Sequence, residues 1–216
     1  MRCLILLAGD LNTAAWQSIP ELTGDFRPII CADGGGLHAL RLCVTPDIVL
    51  GDFDSLPAAE LHLLQAVRMH KFPTLKDETD AELAVAEALR SGATEVVLAG
   101  ALGGRLDHTL ANLGLLRVLR RHGVKAVATD GNQSVWLVTP HNSPFVVNAQ
   151  PGALFSVLPL STQADDVSIT GARWELTHSD LEQGATRTVS NQLLDTPAMI
   201  SVGQGELLVL VNYVYK

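Results

Sequence analysis

The feature that most constrains this chain is a change of pattern after about residue 131. Before it, short apolar runs alternate with helix-like segments. Leu4 to Ala8, Pro28 to Ala32, Asp47 to Leu50, Val96 to Ala99 and Val124 to Ala128 have strand character, and Lys71 to Phe72 is a weaker strand. Between them Leu37 to Leu42, a stretch carrying Leu61, Leu64 and Val67, Thr79 to Leu89 and His108 to Arg121 repeat apolar residues at helical spacing. Such alternation predicts a largely parallel sheet covered by helices on both faces. After it the helical period disappears. Ser134 to Val138, Phe145 to Val147, Leu154 to Leu158, Val167 to Ile169, Met199 to Val202 and Leu207 to Val211 are short strands, separated by Gly, Pro, Asn and Asp. That spacing predicts a small antiparallel sandwich or barrel. The expected fold is therefore an α/β domain with a mainly parallel sheet over residues 1–138, then an all-β sandwich over 139–216.

Charge narrows the partners. A net charge of -8 and a pI near 5.2 argue against a broad nucleic-acid-binding face. An acidic protein that handles phosphates needs metal ions and a few placed basic groups. No apolar stretch approaches the ~20 residues that span a membrane. The apolar start from Cys3 to Ala8 is short and is followed by Asp10 where a signal peptide would carry a small-residue cleavage site, so it reads as a buried first strand. Cys3, Cys31 and Cys43 lie in apolar surroundings without zinc-like spacing, and are expected to be reduced core residues of a cytoplasmic protein.

The stretch from Pro46 to Ser55 carries the chemistry: an apolar run ends in Gly51, then Asp52 and Asp54 flank Phe53. Two carboxylates this close repel unless solvent or a cation offsets them, and Mg²⁺ favours one or two carboxylates plus substrate phosphates. An acidic turn closing a strand is the alternative. Further aspartates stand in comparable places: Asp33, Asp77, Asp80 and Asp107 each follow a strand or lie within a short loop of one. In open parallel sheets those loops form the ligand crevice. Two glycine runs accompany them, Asp33-Gly34-Gly35-Gly36 and Gly103-Gly104-Arg105, each preceding a helix whose first amides can hold an anion. Arg105 adds a fork suited to phosphate. Capping is an equally open reading for any single aspartate, and Thr79 with Glu82 fits a capping box. His108 can pack or cap without a chemical role. His38, His62, His70, His122, His141 and His178 show no ligand spacing and are expected at the surface. Walker A, Rossmann and Gly-x-Ser-x-Gly patterns are absent.

Taken in order, Asp33-Gly34-Gly35, Pro46-Asp47 to Gly51-Asp52-Phe53-Asp54-Ser55, Lys76-Asp77-Glu78-Thr79-Asp80 and Gly103 to His108 with Asn112 resemble the thiamine pyrophosphokinase family. Gly171-Ala172-Arg173-Trp174 and Ser190-Asn191 extend the likeness into the second domain. The resemblance implies pyrophosphoryl transfer from ATP to thiamine, with Mg²⁺, in a homodimer with shared sites. By the same resemblance Asp52, Asp54 and Asp80 hold the metal, and Asp33 or Asp107 sits near the acceptor hydroxyl. Gly34, Gly35, Lys76, Asp77, Thr79, Gly103, Gly104, Arg105 and His108 contact ATP. Trp174, Ser190 and Asn191 serve thiamine, although Trp174 taken alone reads as a sandwich-core residue. Two other readings stay open: a pyrophosphokinase for a pterin alcohol, and a non-catalytic nucleotide sensor.

Overall fold

The computed structural model describes residues 1–16, 19–53, 58–64, 67–73, 77–194 and 197–213. It divides into two compact units, 1–132 and 133–216.

The first unit contains β1 (Arg2–Leu6), β2 (Ile29–Ala32), α1 (Gly35–Leu42), β3 (Ile48–Gly51), α2 (Ala58–Leu63), β4 (Arg68–Lys71), α3 (Asp80–Arg90), β5 (Glu95–Ala99), α4 (Leu106–Arg121) and β6 (Lys125–Thr129). Its strands pair in parallel in the order β6-β5-β1-β2-β3-β4. β1 and β5 are central and bury four of their five residues each, which is why they read as unbroken apolar runs. Burying Leu4, Ile5 and Leu6 completely stabilises the unit by about 1.5–3 kcal/mol apiece. The chain steps outward from β1 through β4, then returns to the other side of β1 for β5 and β6. With right-handed crossovers this places α1 and α2 on one face, and α3 and α4 on the other. α1 packs on β1 and β2, α3 on β1, β2 and β3, and α4 on β6. The direction of winding reverses between β1 and β5, so a crevice opens there at the carboxyl ends of the strands.

Gly35 shows how closely α1 approaches. A Cβ on it would stand 1.9 Å from the Leu6 carbonyl oxygen, so only glycine lets the helix begin against the end of β1. The expected histidine and cysteine placements need two corrections. His38 is buried at 6% exposure, because its helix turns that face onto the sheet. Cys43 is exposed, since it ends α1 in a left-handed conformation at φ 54°. Cys3 and Cys31 are buried as expected, and burial pushes both thiols up to about 12.

The second unit is a two-sheet antiparallel sandwich. β7 (Gln133–Val138), β14 (Leu207–Asn212), β9 (Leu154–Pro159) and β12 (Asn191–Gln192) form one sheet. β8 (Phe145–Val147), β13 (Ala198–Ser201), β10 (Gln163–Thr170) and β11 (Leu176–Glu182) form the other. Phe155, Val157 and Val209 from the first sheet share a core with Val167, Ile169, Leu181 and Ile200 from the second. No helix among the described residues is long and apolar enough to cross a membrane.

Candidate active site

Two strand ends and one helix start build an acidic centre in the first unit. Asp33 follows β2 in a left-handed conformation, φ 43°, which few residues other than glycine, Asn and Asp adopt at low cost. Its N–H donates to Leu50 at 2.7 Å and its carbonyl accepts from Gly36 at 3.0 Å, so it links the end of β3 to the start of α1. Asp52 follows β3, beside Phe53 at φ 65°. Asp80 is the first residue of α3, whose N-cap Thr79 accepts from the Glu82 N–H at 3.2 Å. The capping reading of Thr79 is thus realised, and it fixes the turn from which Asp80 projects. A carboxylate at a helix N-terminus is also favoured by the helix dipole.

Carboxylate oxygens of Asp33, Asp52 and Asp80 lie within 4.8 Å of one another. Asp33 is 9% exposed and the other two are half-buried. At such spacing each negative charge disfavours the others, and a divalent cation reverses that balance. An all-oxygen, carboxylate-only donor set suits Mg²⁺ rather than zinc or copper. The residues present therefore fit the ion. Asp33, placed by sequence with the acceptor hydroxyl, joins the expected ligands Asp52 and Asp80. Asp54 and Lys76 lie outside the described residues.

The other wall of the crevice is the loop after β5. Gly103 and Gly104 adopt φ 78° and 65°, and a Cβ on Gly103 would stand 2.3 Å from an Asp10 carboxylate oxygen. The buried Asn112 side chain donates to the Ala101 carbonyl at 2.9 Å, tying the loop to α4. Arg105 directs its fork onto Asp107, Nε to Oδ1 at 3.1 Å and Nη2 to Oδ2 at 2.6 Å. That pairing holds the Asp107 carboxyl well below the usual range, at about 2, with help from the His108 N–H. A cleft of about 230 Å³ runs between these walls, lined by Asp10, Thr79, Asp80, Gly103, Arg105 and His108 among others. Gly34 and Gly35 open α1, and Asp77 is exposed at the bend before Thr79.

In the second unit, Trp174, Ser190 and Asn191 come together although 17 residues separate Trp174 from Asn191. The Asn191 side chain accepts from the Trp174 N–H at 3.1 Å and donates to the Trp174 carbonyl at 2.7 Å. The same oxygen accepts from Gln192 N–H at 2.8 Å. Ser190, at φ 58°, donates its N–H to Ser156 Oγ at 3.0 Å. Asn191 is 3% exposed while Trp174 is 57% exposed. The sandwich-core reading of Trp174 is therefore overturned: its backbone is tied down and its ring faces outward, with the Arg173 guanidinium 5.1 Å above it.

Asp10 and His38 are the residues of this region that sequence reasoning missed. Asp10 follows β1 as Asp33 follows β2, and that shared position is the signal that would have found it. His38 Nε2 contacts the Gly9 carbonyl at 2.9 Å from inside α1, a contact with no local sequence mark.

Both units match known proteins. Residues 20–128 match the family model of the thiamin pyrophosphokinase catalytic domain, and residues 145–207 match that of the thiamin pyrophosphokinase vitamin B1 binding domain. Thiamine pyrophosphokinase of Bacillus subtilis is 27% identical over 197 residues, covering 89% of this chain and 92% of that protein. Crystal structures of a thiamin pyrophosphokinase from Geobacillus thermodenitrificans and a thiamin pyrophosphokinase family protein from Enterococcus faecalis superpose with TM-scores of 0.84 and 0.82. They are 26% and 28% identical, and each comparison spans 100% of this chain, with 99% and 100% of the respective relatives.

Proposed function

The chain belongs to the thiamin pyrophosphokinase family, and from that premise we propose that it transfers the pyrophosphoryl group of ATP to thiamine, giving thiamine diphosphate and AMP. The observation that carries the reading is the convergence of Asp33, Asp52 and Asp80 at the crevice where an α/β sheet binds its ligand. The thiamine hydroxyl oxygen attacks the β-phosphorus and its proton is lost to solvent, the bond from that phosphorus to the α-phosphate's bridging oxygen breaks, and AMP departs. Bound at the three aspartates, Mg²⁺ would neutralise charge on the transferred oxygens. Gly103 and Arg105 hold phosphate oxygens through a backbone amide and the guanidinium, which exchanges Asp107 for the ligand. In the free site Asp107, held at about 2 by Arg105, positions that guanidinium until the ligand takes its place. The exposed Trp174 ring offers a π face to the cationic thiazolium, beside Ser190 and Asn191. The vitamin B1 model match over that unit favours thiamine above a pterin acceptor.

Incubation with ATP, Mg²⁺ and thiamine should yield AMP and thiamine diphosphate in equal amounts, and chelation should stop it. ADP with thiamine monophosphate as products would reject the pyrophosphoryl reading. The proposal includes a homodimer in which each site draws its acidic residues from one subunit and its acceptor residues from the other. Mixing inactive Asp80→Ala and Asn191→Ala variants under subunit exchange should then restore activity, because one site of each heterodimer keeps both intact halves. Proven exchange without recovery would reject shared sites.

A further inference from the structure

We propose that Asp10 is a specificity residue that reads the ribose of the nucleotide, its carboxylate accepting hydrogen bonds from the vicinal hydroxyls; this rests on the nucleotide-binding role assigned to the crevice above. Asp10 is held in place from both sides. Its N–H donates to Leu102 at 3.1 Å, and the preceding Gly9 N–H donates to Gly100 at 3.0 Å. The Gly9 carbonyl in turn meets His38 Nε2 at 2.9 Å. A carbonyl can only accept, so His38 is the donor, and burial lowers its pKa and keeps it neutral in that tautomer. A carboxylate positioned by so many backbone contacts loses little freedom on binding a ligand.

Its chemistry excludes the other roles open to it. One oxygen accepts from the Gly104 N–H at 3.2 Å, which uses one of about four lone-pair sites. Asp10 stands outside the Asp33, Asp52 and Asp80 group and lines the same cleft as Asp80. No Lys or Arg side chain forms an ion pair with it among the described residues. An exposed carboxylate repels phosphate oxygens at close range unless a cation lies between them, and Asp10 is outside the group fitted to a cation, so neutral hydrogen-bond donors suit it. ATP carries such donors on the ribose and on the adenine amine. Asp10 is bonded directly to the glycine loop that would grip phosphate, and ribose is the part of the nucleotide next to the phosphates. That adjacency selects the diol over the distant amine, in the manner in which an acidic residue reads ribose in other doubly wound sheets.

Calorimetric titration of the full-length protein separates this from the function itself. The ligands are ATP, 2′-deoxy-ATP and 3′-deoxy-ATP with Mg²⁺, and the proteins are the unmodified chain, Asp10→Ala and Asp10→Asn. The unmodified chain should bind ATP at least ~10-fold more tightly than either deoxy form, the scale of a hydrogen bond to a charged group. Asp10→Ala should bind all three alike, at the weaker affinity. Asp10→Asn retains an acceptor for Gly104 and should lose most of the discrimination while keeping its affinity for the deoxy forms. Equal weakening of all three ligands by both variants would mean that Asp10 only braces the loop. Tighter binding of all three would mean that it only repels phosphate. Either result, or an unmodified chain that binds the three equally, overturns the proposal while leaving the function standing. Failure of the unmodified chain to bind ATP at all would instead overturn the function.

Discussion

The acidic centre of the first unit and the Trp174 surface of the second reach convergence by different means. The first is made by strand ends: parallel order brings the residues after β2 and β3 to one edge, and Thr79 starts α3 beside them. Its carboxylates gain nothing from one another, so the fold holds them together against their repulsion. The second is made by one buried side chain. Asn191 ties Trp174 to β12 by two hydrogen bonds, and the exposed tryptophan ring contributes little to the core. In the first region like charges are gathered at a cost in stability. In the second, a buried side chain fixes the backbone from which an exposed ring projects.

The sharpest way to break that contrast is Asp80→Asn. It keeps size and removes a charge, so turnover with Mg²⁺ should fall by at least ~100-fold, the scale of lost electrostatic stabilisation. The melting temperature should hold or rise, because a like-charge contact is relieved. A stability loss matching the activity loss would make the cluster structural. Next in size, Asn191→Ala should destabilise the protein by about 1–3 kcal/mol in denaturant melts, the penalty for leaving buried polar partners unmet. An unchanged midpoint would show that the backbone around Trp174 holds without it. A smaller effect is expected from Trp174→Ala: KM for thiamine rises by ~5–10-fold while stability moves by less than about 0.5 kcal/mol. If stability dropped instead, the ring would be packing in the assembled protein.

The smallest effect concerns Asp107. Its folded pKa is depressed to about 2, so its contribution is present above the unfolded value near ~3.9 and is lost as pH falls through about 2. Because the pair is solvent-exposed, salt should weaken it. A carboxyl titration by NMR should find that low midpoint, and Arg105→Met should return it towards the ordinary range. An unshifted midpoint in the unmodified protein would mean that Arg105 does not hold Asp107 in solution.

Legibility followed burial. Strands β1, β2, β3 and β5 were plain because both faces are covered and the apolar run is continuous. β11 was not, since it buries only Leu176 and Leu181 and sends Thr177, His178 and Ser179 outward or to the margin. Register shifts along its pairing with β10 further blur the alternation. β12 is two residues long, too short for any period to register. The acidic residues after strands could be found by position, yet which of them meet depends on strand order. That order puts Asp33 with Asp52 and Asp80. The outward turn of Trp174 was hidden because an aromatic residue in a β-rich stretch carries no sign of which way it faces, and only the Asn191 contacts decide it.

The position of β1 has a consequence for how the molecule comes into being. Its partner β5 is far along the chain, with Arg2 and Glu95 meeting across 93 residues. At synthesis rates of ~5–20 residues per second, this largely buried strand waits ~5–20 s for its second neighbour to be made. Over that interval β1 has β2 on one edge and an open ladder on the other, the state in which a nascent chain most needs shielding from its own copies. Closing so long a loop also places this sheet among the slow-folding topologies, so production of the native protein should respond to chaperone supply more than its finished stability would suggest.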